Sequence, residues 1–276
     1  MGMSYTVIGA SGFVGARLAA SLRGGGHAVY APQRGDPELL RRPLGRVIYC
    51  AGMTADYAAR PFDTVQAHVG LLATVLQQAS FEHLVYLSST RLYDSLGEHG
   101  GAALDEETAL QLDPHQPRHL YDLSKALGEN LCLNASGGRA AVARLACVYD
   151  WRTGAPGFLS AWLQRAVHER DLRIDSASGV VRDYVHLDDV VAALHAMAER
   201  RSTGIVNVAS GEQVSNLELA EVFRRHGWSV SLARDSERER RAPCSTGRLA
   251  QLGVVARPVR AVLDACLGTQ VVYAPA

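Results

Sequence analysis

A tyrosine and a lysine four positions apart are the residues of this sequence best suited to chemistry. Tyr121 and Lys125 lie in a stretch with helical apolar spacing, so this separation places both side chains on one helix face, one turn apart. A free phenol is a poor acid or base at neutral pH, with a pKa of about 10, but a neighbouring ammonium favours the phenolate. Lys125 is the only lysine among 28 Lys and Arg residues, which indicates a position where a guanidinium does not serve.

A hydroxyl group is expected beside this pair to hold a substrate oxygen. Ser88, Ser89 and Thr90 directly follow the apolar stretch 83–87, which predicts a buried strand. Residues at the carboxyl end of such a strand lie where ligands of open α/β sheets bind. Ser89 alone could equally form a turn, and a tyrosine and a lysine at this spacing are common on helix surfaces. The interpretation therefore depends on the three elements occurring together.

A glycine-rich loop, Gly9-Ala-Ser-Gly12-Phe-Val-Gly15, follows the first predicted strand and opens the first predicted helix. Glycine is needed where the backbone turns sharply or approaches a pyrophosphate, and the helix N-terminus offers free N–H groups to an anion. This context predicts a dinucleotide-binding turn rather than an ordinary tight turn. The residues predicted to contact the dinucleotide here and in the segments around 51 and 121 are Gly9, Ser11, Gly12, Phe13, Val14, Gly15, Ala51, Gly52, Tyr121 and Lys125.

The residues after the second predicted strand bear on which dinucleotide binds. NAD enzymes usually carry an acid there that binds the ribose hydroxyls, whereas this chain has Gln33 followed by Arg34. Arg34 is able to pair with a 2′-phosphate, which favours NADP slightly, and Asp36 keeps NAD open. A solvent-facing loop position is the alternative for Arg34. Gln33 and Arg34 complete the predicted cofactor contacts.

The predicted elements explain how these residues come together. Short apolar strands alternate with helical stretches, which predicts parallel βαβ units. We expect an α/β fold, a Rossmann-type doubly wound parallel sheet with a smaller C-terminal substrate-binding part. Residues 1–150 would form the NAD(P)-binding domain, with returning segments from about 179–210, and residues 151–276 the smaller part. Strands are predicted at 5–8, 28–31, 46–50, 83–87, 140–148, 182–185 and 204–208, and helices at 12–23, 65–79, 121–134, 158–170, 187–200 and 217–226.

Composition excludes several other classes of protein. The 276 residues carry a formal net charge of zero and 47% hydrophobic side chains. The chain can therefore bury a substantial core, and it lacks the basic footprint of a nucleic-acid binder. No apolar run is long enough to cross a membrane. The five cysteines are scattered without metal-ligand spacing, so we expect free thiols, no metal site and a cytoplasmic location.

Nearly the whole chain resembles the extended short-chain dehydrogenase/reductase family, of the NAD-dependent epimerase/dehydratase type that modifies nucleotide sugars. The glycine spacing G-x-x-G-x-x-G and the pair of Tyr121 and Lys125 carry this resemblance, together with five further segments. These segments are Leu87-Ser-Ser-Thr-Arg-Leu-Tyr93, Arg144-Leu-Ala-Cys-Val-Tyr149, Arg182-Asp-Tyr-Val-His-Leu-Asp-Asp-Val190, Gly204-Ile-Val-Asn-Val-Ala-Ser-Gly211 and Arg248-Leu-Ala-Gln-Leu-Gly253.

The resemblance implies a role for several side chains. The expected catalytic residues are Ser89, Tyr121 and Lys125. The expected substrate contacts are Ser89, Thr90, Cys147 and Arg182. In relatives the Arg182 position contacts the diphosphate of the substrate, for which a fork-shaped donor is well suited; an ion pair with Asp183 or Asp188 is the alternative. The helices at 65–79 and 121–134 resemble those that pair relatives into homodimers.

Some positions depart from the family pattern. Cys147 and His68 stand where the family often has asparagine, and the segment between Arg34 and Arg46 is too short for the usual third strand. Sugar-nucleotide 4,6-dehydratases carry an acid pair after the catalytic hydroxyl, whereas this chain continues with Thr90 and Arg91, which disfavours that reaction. Packing is the role expected for Tyr184 and His186.

Two activities remain in view. An epimerase would oxidise and re-reduce one carbon with a tightly held cofactor, and it is preferred on the frequency of that activity in the family. A reductase would release its spent cofactor, which the argument for NADP from Arg34 favours. A third hypothesis is a non-catalytic dinucleotide-binding sensor, against which the complete Tyr-Lys-Ser set argues.

Overall fold

Eleven strands and nine α-helices are present in the computed structural model within the residues it describes, 2–152 and 154–268. The strands are β1 (Ser4–Ile8), β2 (Ala28–Tyr30), β3 (Arg46–Tyr49), β4 (His83–Ser89), β5 (Ala140–Leu145), β6 (Cys147–Tyr149), β7 (Asp171–Ala177), β8 (Val181–His186), β9 (Gly204–Val208), β10 (Gln213–Ser215) and β11 (Ser229–Arg234). The helices are α1 (Phe13–Gly24), α2 (Pro61–Val65), α3 (Leu71–Gln78), α4 (His119–Ala135), α5 (Phe158–His168), α6 (Leu187–Glu199), α7 (Asn216–Arg225), α8 (Gly247–Gln251) and α9 (Val259–Gly268). A π-helical turn (Gln66–Gly70) joins α2 to α3.

Six of the strands form one sheet in the order β2-β1-β3-β4-β5-β9. All neighbouring strands in it run parallel, which confirms the predicted α/β fold. The chain moves outwards from β1 to β2 and then returns to the other side of β1 to form β3. The boundary between β1 and β3 is therefore the switch point at which ligands of such sheets bind.

Helices cover both faces of this sheet. On one face α1 packs against α6, and Leu18 and Leu194 share a core with Val85. On the other face α3 and α4 pack against the sheet, and Leu72 shares a core with Leu84. Successive strand residues point to opposite faces, so strands covered on both sides are apolar throughout. That property is why the sequence reveals these strands so clearly.

A smaller part with its own core follows β5. Strands β10, β8 and β6 form a three-stranded sheet, and β7 pairs with β11 in parallel. Helices α5, α7 and α9 pack with them around Trp162, Phe223 and Trp228. Strand β9 and helix α6 return to the large sheet, as expected for the segment near 179–210. The division of the chain into domains at residue 150 stays a prediction.

Several elements differ from their predicted form. The stretch 140–148, predicted as one strand, forms the two strands β5 and β6. The Ala146 N–H donates to the Val208 carbonyl, the last contact of this stretch with the large sheet, and Cys147 then pairs with Tyr184 in the three-stranded sheet. The predicted helix 65–79 begins at Pro61. Strands β7, β10 and β11 have no predicted counterpart, because they are short or only half-buried and carry a weak apolar signal. The short segment before β3 forms only a 3₁₀ turn (Pro37–Leu40), in keeping with its length.

Substitution of Gly15 by alanine is expected to open the glycine loop. A Cβ at Gly15 would lie 2.3 Å from the Gly9 carbonyl oxygen, so we expect Gly15→Ala to lower the free energy of unfolding by about 1–3 kcal/mol and to abolish dinucleotide binding. Gly24→Ala, at the other end of α1, is the matched control, because nothing lies within 4 Å of its Cβ position. Urea unfolding and fluorescence titration with NADPH measure both effects. Equal behaviour of the two variants would contradict this role for the loop.

Candidate active site

The predicted site residues meet at a cleft of about 700 Å³ at the carboxyl ends of β1, β3, β4 and β5. Strands β6 and β8 form its far wall, so the cleft lies between the large sheet and the smaller part. The predicted residues that line it are Gly12, Phe13, Val14, Gly15, Gly52, Ser89, Thr90, Tyr121, Lys125, Cys147 and Arg182. Within the described part of the chain, the predicted residues outside this lining are Gly9, Ser11, Gln33, Arg34 and Ala51.

Helix α4 is held close to the sheet by a buried carboxylate. Glu129 accepts hydrogen bonds from Arg144 of β5 at 2.9 and 2.6 Å and from Ser88 of β4 at 2.5 Å. The approach also requires Gly128, because a Cβ there would lie 2.4 Å from the Tyr86 hydroxyl oxygen. These contacts fix the helix that carries the Tyr-Lys pair against the strand that carries Ser89.

Lys125 is buried and close to its titration midpoint. Its Nζ donates to the Leu87 carbonyl at 2.8 Å and lies 4.9 Å from the centroid of the Tyr86 ring. Burial lowers the pKa of Lys125 to about 7, and the Glu129 carboxylate opposes this shift. A side chain whose charge changes near neutral pH is a lysine property that arginine does not share.

Tyr121 faces Ser89 across the cleft edge. Burial raises the pKa of Tyr121, and the Ser89 hydroxyl and the Arg91 guanidinium act in the opposite direction. Among charged groups, Arg91 has the largest effect on the pKa of Tyr121. The sequence predicts that Lys125 has this role. Ser89 also caps the turn after β4, since its Oγ accepts from the Arg91 N–H at 3.2 Å. This capping contact is compatible with a catalytic role for Ser89, which stays a prediction.

His68 joins the loop after β3 to helix α4. Its Nε2 accepts from the Met53 N–H at 3.1 Å, so Nδ1 carries the proton and donates to Ser124 Oγ at 2.8 Å. Ser124 in turn donates to the Tyr121 carbonyl at 2.9 Å. Burial lowers the pKa of His68 to about 3, so the ring is neutral. His68 thus links the loop after β3 to α4 through hydrogen bonds of a neutral ring.

The glycine loop has the shape that a pyrophosphate requires. Gly9 adopts a φ of +85°, and a Cβ there would lie 2.6 Å from the Ala51 nitrogen. Helix α1 begins after Gly12 with no side-chain cap and no acid in its first turn. Its first N–H groups and the positive end of its dipole are therefore available to an anion. The residues present fit a bound dinucleotide.

Gln33 and Arg34, which follow β2, are exposed, whereas Asp36 is half-buried. Arg34 has no ionic or hydrogen-bond partner among the described residues. Asp36 is engaged in local structure, because it accepts from the Tyr30 hydroxyl at 2.8 Å and from the Glu38 N–H at 3.0 Å. The guanidinium of Arg42 lies 4.3 Å from the Tyr30 ring centroid. Asp36 thus caps the short 3₁₀ turn between β2 and β3.

Arg182 projects from β8 into the far wall of the cleft. Its guanidinium lies 4.5 Å from the centroid of the Phe158 ring. It forms no ion pair within the described residues, since Asp183 accepts from backbone N–H groups of the loop after β9 and Asp188 pairs with Arg17. The alternative of a structural ion pair for Arg182 is therefore wrong. The only side-chain hydrogen bond of this guanidinium among the described residues is a long one, from Nη1 to Asn216 Oδ1 at 3.4 Å.

Cys147 is exposed to the cleft beside Arg182. The surrounding protein nevertheless raises the pKa of this thiol to about 11, so it is protonated at neutral pH. Thr90 Oγ1 donates to the Leu145 carbonyl at 3.4 Å. Tyr184 and His186 are buried, as expected for packing residues, although Tyr184 also borders the cleft.

Besides His68, whose ring lies 5.2 Å from that of Tyr121, two side chains beside Tyr121 are not among the predicted site residues. The guanidinium carbon of Arg91 lies 4.9 Å from the Tyr121 ring centroid, and the Tyr57 ring lies 5.5 Å from the same centroid. The available signal for Arg91 is its position two residues after Ser89, at the end of a buried strand. Tyr57 lies in an irregular loop, where no periodicity marks it.

A glycine loop at the switch point of a parallel sheet, with a Tyr-Lys pair at the same edge, defines a dinucleotide-binding oxidoreductase of the short-chain type. Residues 5–209 match the NAD dependent epimerase/dehydratase family. The chain therefore belongs to this family of enzymes, which confirms the resemblance of its sequence motifs. No curated protein matches the chain by sequence.

Solved structures of similar fold include two UDP-sugar epimerases and a protein bound to NADPH. UDP-glucose 4-epimerase from Thermotoga maritima with UDP-glucose has a TM-score of 0.77 at 18% identity, covering 96% of this chain and 98% of that one. UDP-glucuronic acid 4-epimerase from Bacillus cereus with UDP-glucuronic acid and NAD has a TM-score of 0.74 at 16% identity, covering 98% and 100%. RMD from Pseudomonas aeruginosa with NADPH has a TM-score of 0.72 at 22% identity, covering 96% and 98%. None of the helices in the described part of this chain is long and apolar enough to cross a membrane.

The lowered pKa of Lys125 predicts a pH-dependent stability. An unfolded lysine keeps its proton up to the ordinary value of 10.5, whereas the folded chain releases it near 7. Between these values the unfolded state binds more protons, so the contribution of Lys125 to the free energy of unfolding rises with pH, by at most about 1.4 kcal/mol per pH unit. Urea unfolding of the parent and of Lys125→Met from about pH 6 to 9 measures it. A stability difference between the two that does not change with pH would contradict the lowered pKa.

Proposed function

We propose that the chain is an NAD(P)-dependent epimerase acting on a secondary alcohol of a nucleotide-diphosphate sugar. The observation that carries the proposal is one cleft lined by residues 12–15 of the glycine loop, by the Tyr-Lys-Ser set and by Arg182, which has no acidic partner among the described residues. The loop and the Tyr-Lys-Ser set suit a bound dinucleotide and a proton transfer, and the guanidinium suits a diphosphate. The complexes of similar fold that hold UDP-sugars support the same substrate class.

The chemistry follows from the positions of the three side chains. Tyr121 takes the proton of the substrate hydroxyl as a hydride leaves the same carbon, and Ser89 donates a hydrogen bond to the oxygen, which becomes a ketone. When bound, the nicotinamide dinucleotide supplies the acceptor for this hydride and its donor on return. Lys125 stabilises the phenolate before the proton arrives. Return of the proton from Tyr121 and of the hydride to the opposite face of the carbon completes the inversion.

A second candidate is an NADPH-dependent sugar-nucleotide ketoreductase that releases its cofactor. The observation that favours it is the contrast between Arg34, which has no partner in the described residues, and Asp36, whose oxygens are engaged by Tyr30 and Glu38. An unpaired guanidinium suits a 2′-phosphate, and an engaged carboxylate suits a ribose diol less well. We therefore keep a slight preference for NADP over NAD. Complexes of similar fold hold either NADPH or NAD.

Mass spectrometry of the cofactor released from freshly purified protein is the first test. An epimerase is expected to retain stoichiometric dinucleotide and to convert UDP-glucose or UDP-glucuronic acid into its epimer without net change in NAD(P)H absorbance. Tyr121→Phe should lower that turnover by about 100-fold or more while still binding dinucleotide. Tyr149→Phe is the matched control, because it removes a buried hydroxyl that lies outside the cleft lining and has no hydrogen-bond partner in residues 2–152 and 154–268.

Other outcomes of this test select the alternatives. A protein that is purified without cofactor, prefers NADPH in titration and consumes it with a keto-sugar would be the reductase. In that case Arg34→Gln should weaken binding of NADPH and leave binding of NADH unchanged. Full turnover in Tyr121→Phe would contradict both enzymes as described and would favour the sensor.

We further propose that the chain forms a homodimer through two exposed apolar stripes. One stripe runs along α2, the π turn and α3, and the other runs along α4, which packs beside them. Phe62 is 88% exposed and Leu127 is 50% exposed, values that suit a covered surface rather than a free one. The exposed members of the two stripes are Phe62, Val65 and Leu127. The half-buried residues beside them are Val69, Ala73, Leu120, Leu123 and Leu131.

Sedimentation velocity tests the dimer. The double variant Phe62→Asp, Leu127→Asp should sediment as a monomer, because an aspartate in an apolar interface is desolvated without a partner. Val255→Asp is the control, since Val255 is 79% exposed outside both stripes. A parent protein that is monomeric at high concentration, or a double variant that remains dimeric, would contradict this interface.

The location that we propose is the cytoplasm. All five cysteines are free thiols. Reducing compartments keep such thiols from forming disulfides.

A further inference from the structure

Arg91 lies between two aromatic rings at the edge of the cleft. Its guanidinium carbon is 4.9 Å from the centroid of the Tyr121 ring and 4.7 Å from that of Tyr57. A cation within about 6 Å of a ring centroid is attracted to the face of the ring. Arg91 therefore contacts the side chain that would carry the proton in the proposed reaction.

The position of the guanidinium is fixed by its other contacts. Its Nη2 donates to the Tyr57 hydroxyl oxygen at 2.8 Å and to the Arg118 carbonyl at 3.2 Å. Its Nε lies 3.2 Å from Oδ1 of Asp122, a residue that is only 1% exposed. That carboxylate oxygen has no hydrogen-bond partner among the described residues, and a buried carboxylate without a cation is strongly destabilising. Asp122 therefore holds Arg91 against Tyr121.

We propose that Arg91 is a positioning residue that presents a permanent positive charge to Tyr121 and so favours its phenolate form. The inference rests on the proposed function, because it concerns the residue that would take the substrate proton. A guanidinium remains protonated over the whole working range of pH. The charge therefore persists whatever the protonation state of the lysine in the same site.

The other groups around Tyr121 do not supply this constant charge. Burial lowers the pKa of Lys125 to about 7, so this ammonium is only partly charged at neutral pH. His68 is neutral, because burial lowers its pKa to about 3. The surroundings of Cys147 keep it a thiol, and Asp122 acts against the phenolate. The phenols of Tyr57 and Tyr86 complete the surroundings, and burial raises the pKa of Tyr86 well above its usual value.

Nuclear magnetic resonance of protein labelled at tyrosine Cζ tests the proposal directly. The chain has 10 tyrosines, and the Tyr121 signal is assigned by its loss in Tyr121→Phe. In cofactor-free protein titrated from about pH 7 to 12, Arg91→Gln should lower the ratio of phenolate to phenol at a fixed pH by about tenfold. Arg91→Lys should keep most of that ratio. Arg118→Gln is the matched control, because Arg118 lies 3.8 Å from the same Asp122 carboxylate and has no ring contact with Tyr121.

A second pair of variants separates the direct effect of Arg91 from an effect through its partner. Asp122→Asn and the double variant Asp122→Asn, Arg91→Gln both lack the buried carboxylate, and the double variant also lacks the guanidinium. A lower phenolate ratio in the double variant supports the proposal. An unchanged ratio would overturn it, as would an equal shift in Arg118→Gln or a parent Tyr121 that stays a phenol throughout. None of these measurements uses a substrate, so failure of the proposed epimerase activity would be distinguished from failure of this inference.

Discussion

The buried ion pair between Glu129 and Arg144 fixes the helix on which the active site depends. Moving a charge from water into a core costs several kcal/mol per ion unless it is well matched, and this carboxylate receives a bidentate guanidinium together with the Ser88 hydroxyl. Because Ser88 and Arg144 lie on adjacent strands, one carboxylate ties α4 to both β4 and β5. Its charge also opposes the loss of the proton from Lys125, one helical turn away.

Burial decides which groups around the cleft change protonation near neutral pH. His68 is neutral and Cys147 is a thiol, so both are constant under ordinary conditions. Lys125 has a pKa near 7 and can respond to a bound charge. Arg91 adds a fixed cation two residues after Ser89. The cleft thus combines one lysine that titrates near neutral pH with an arginine whose charge is constant.

Much of the fold could be predicted because the information is local. The central residues of β3 and β4, 47–49 and 84–87, are all apolar, since both faces of the sheet are covered. The glycine loop is recognised by its place between a strand and a helix. The errors occur where distant contacts decide the outcome. The separation of β6 from β5 depends on a hydrogen bond from Ala146 to Val208, and the half-buried pair of β7 and β11 depends on packing against the smaller core.

The sequence by itself determined the parallel sheet, the glycine loop and the set of Ser89, Tyr121 and Lys125, because each follows from spacing within one element or from the order of elements. Tertiary structure alone decided which charged side chains lie next to that set and which of them form ion pairs. It placed Arg91 rather than Lys125 as the dominant cation on Tyr121, and it left Arg182 without an acid partner. These outcomes depend on distances of a few ångströms between side chains on different elements, and such distances have no signature in local sequence.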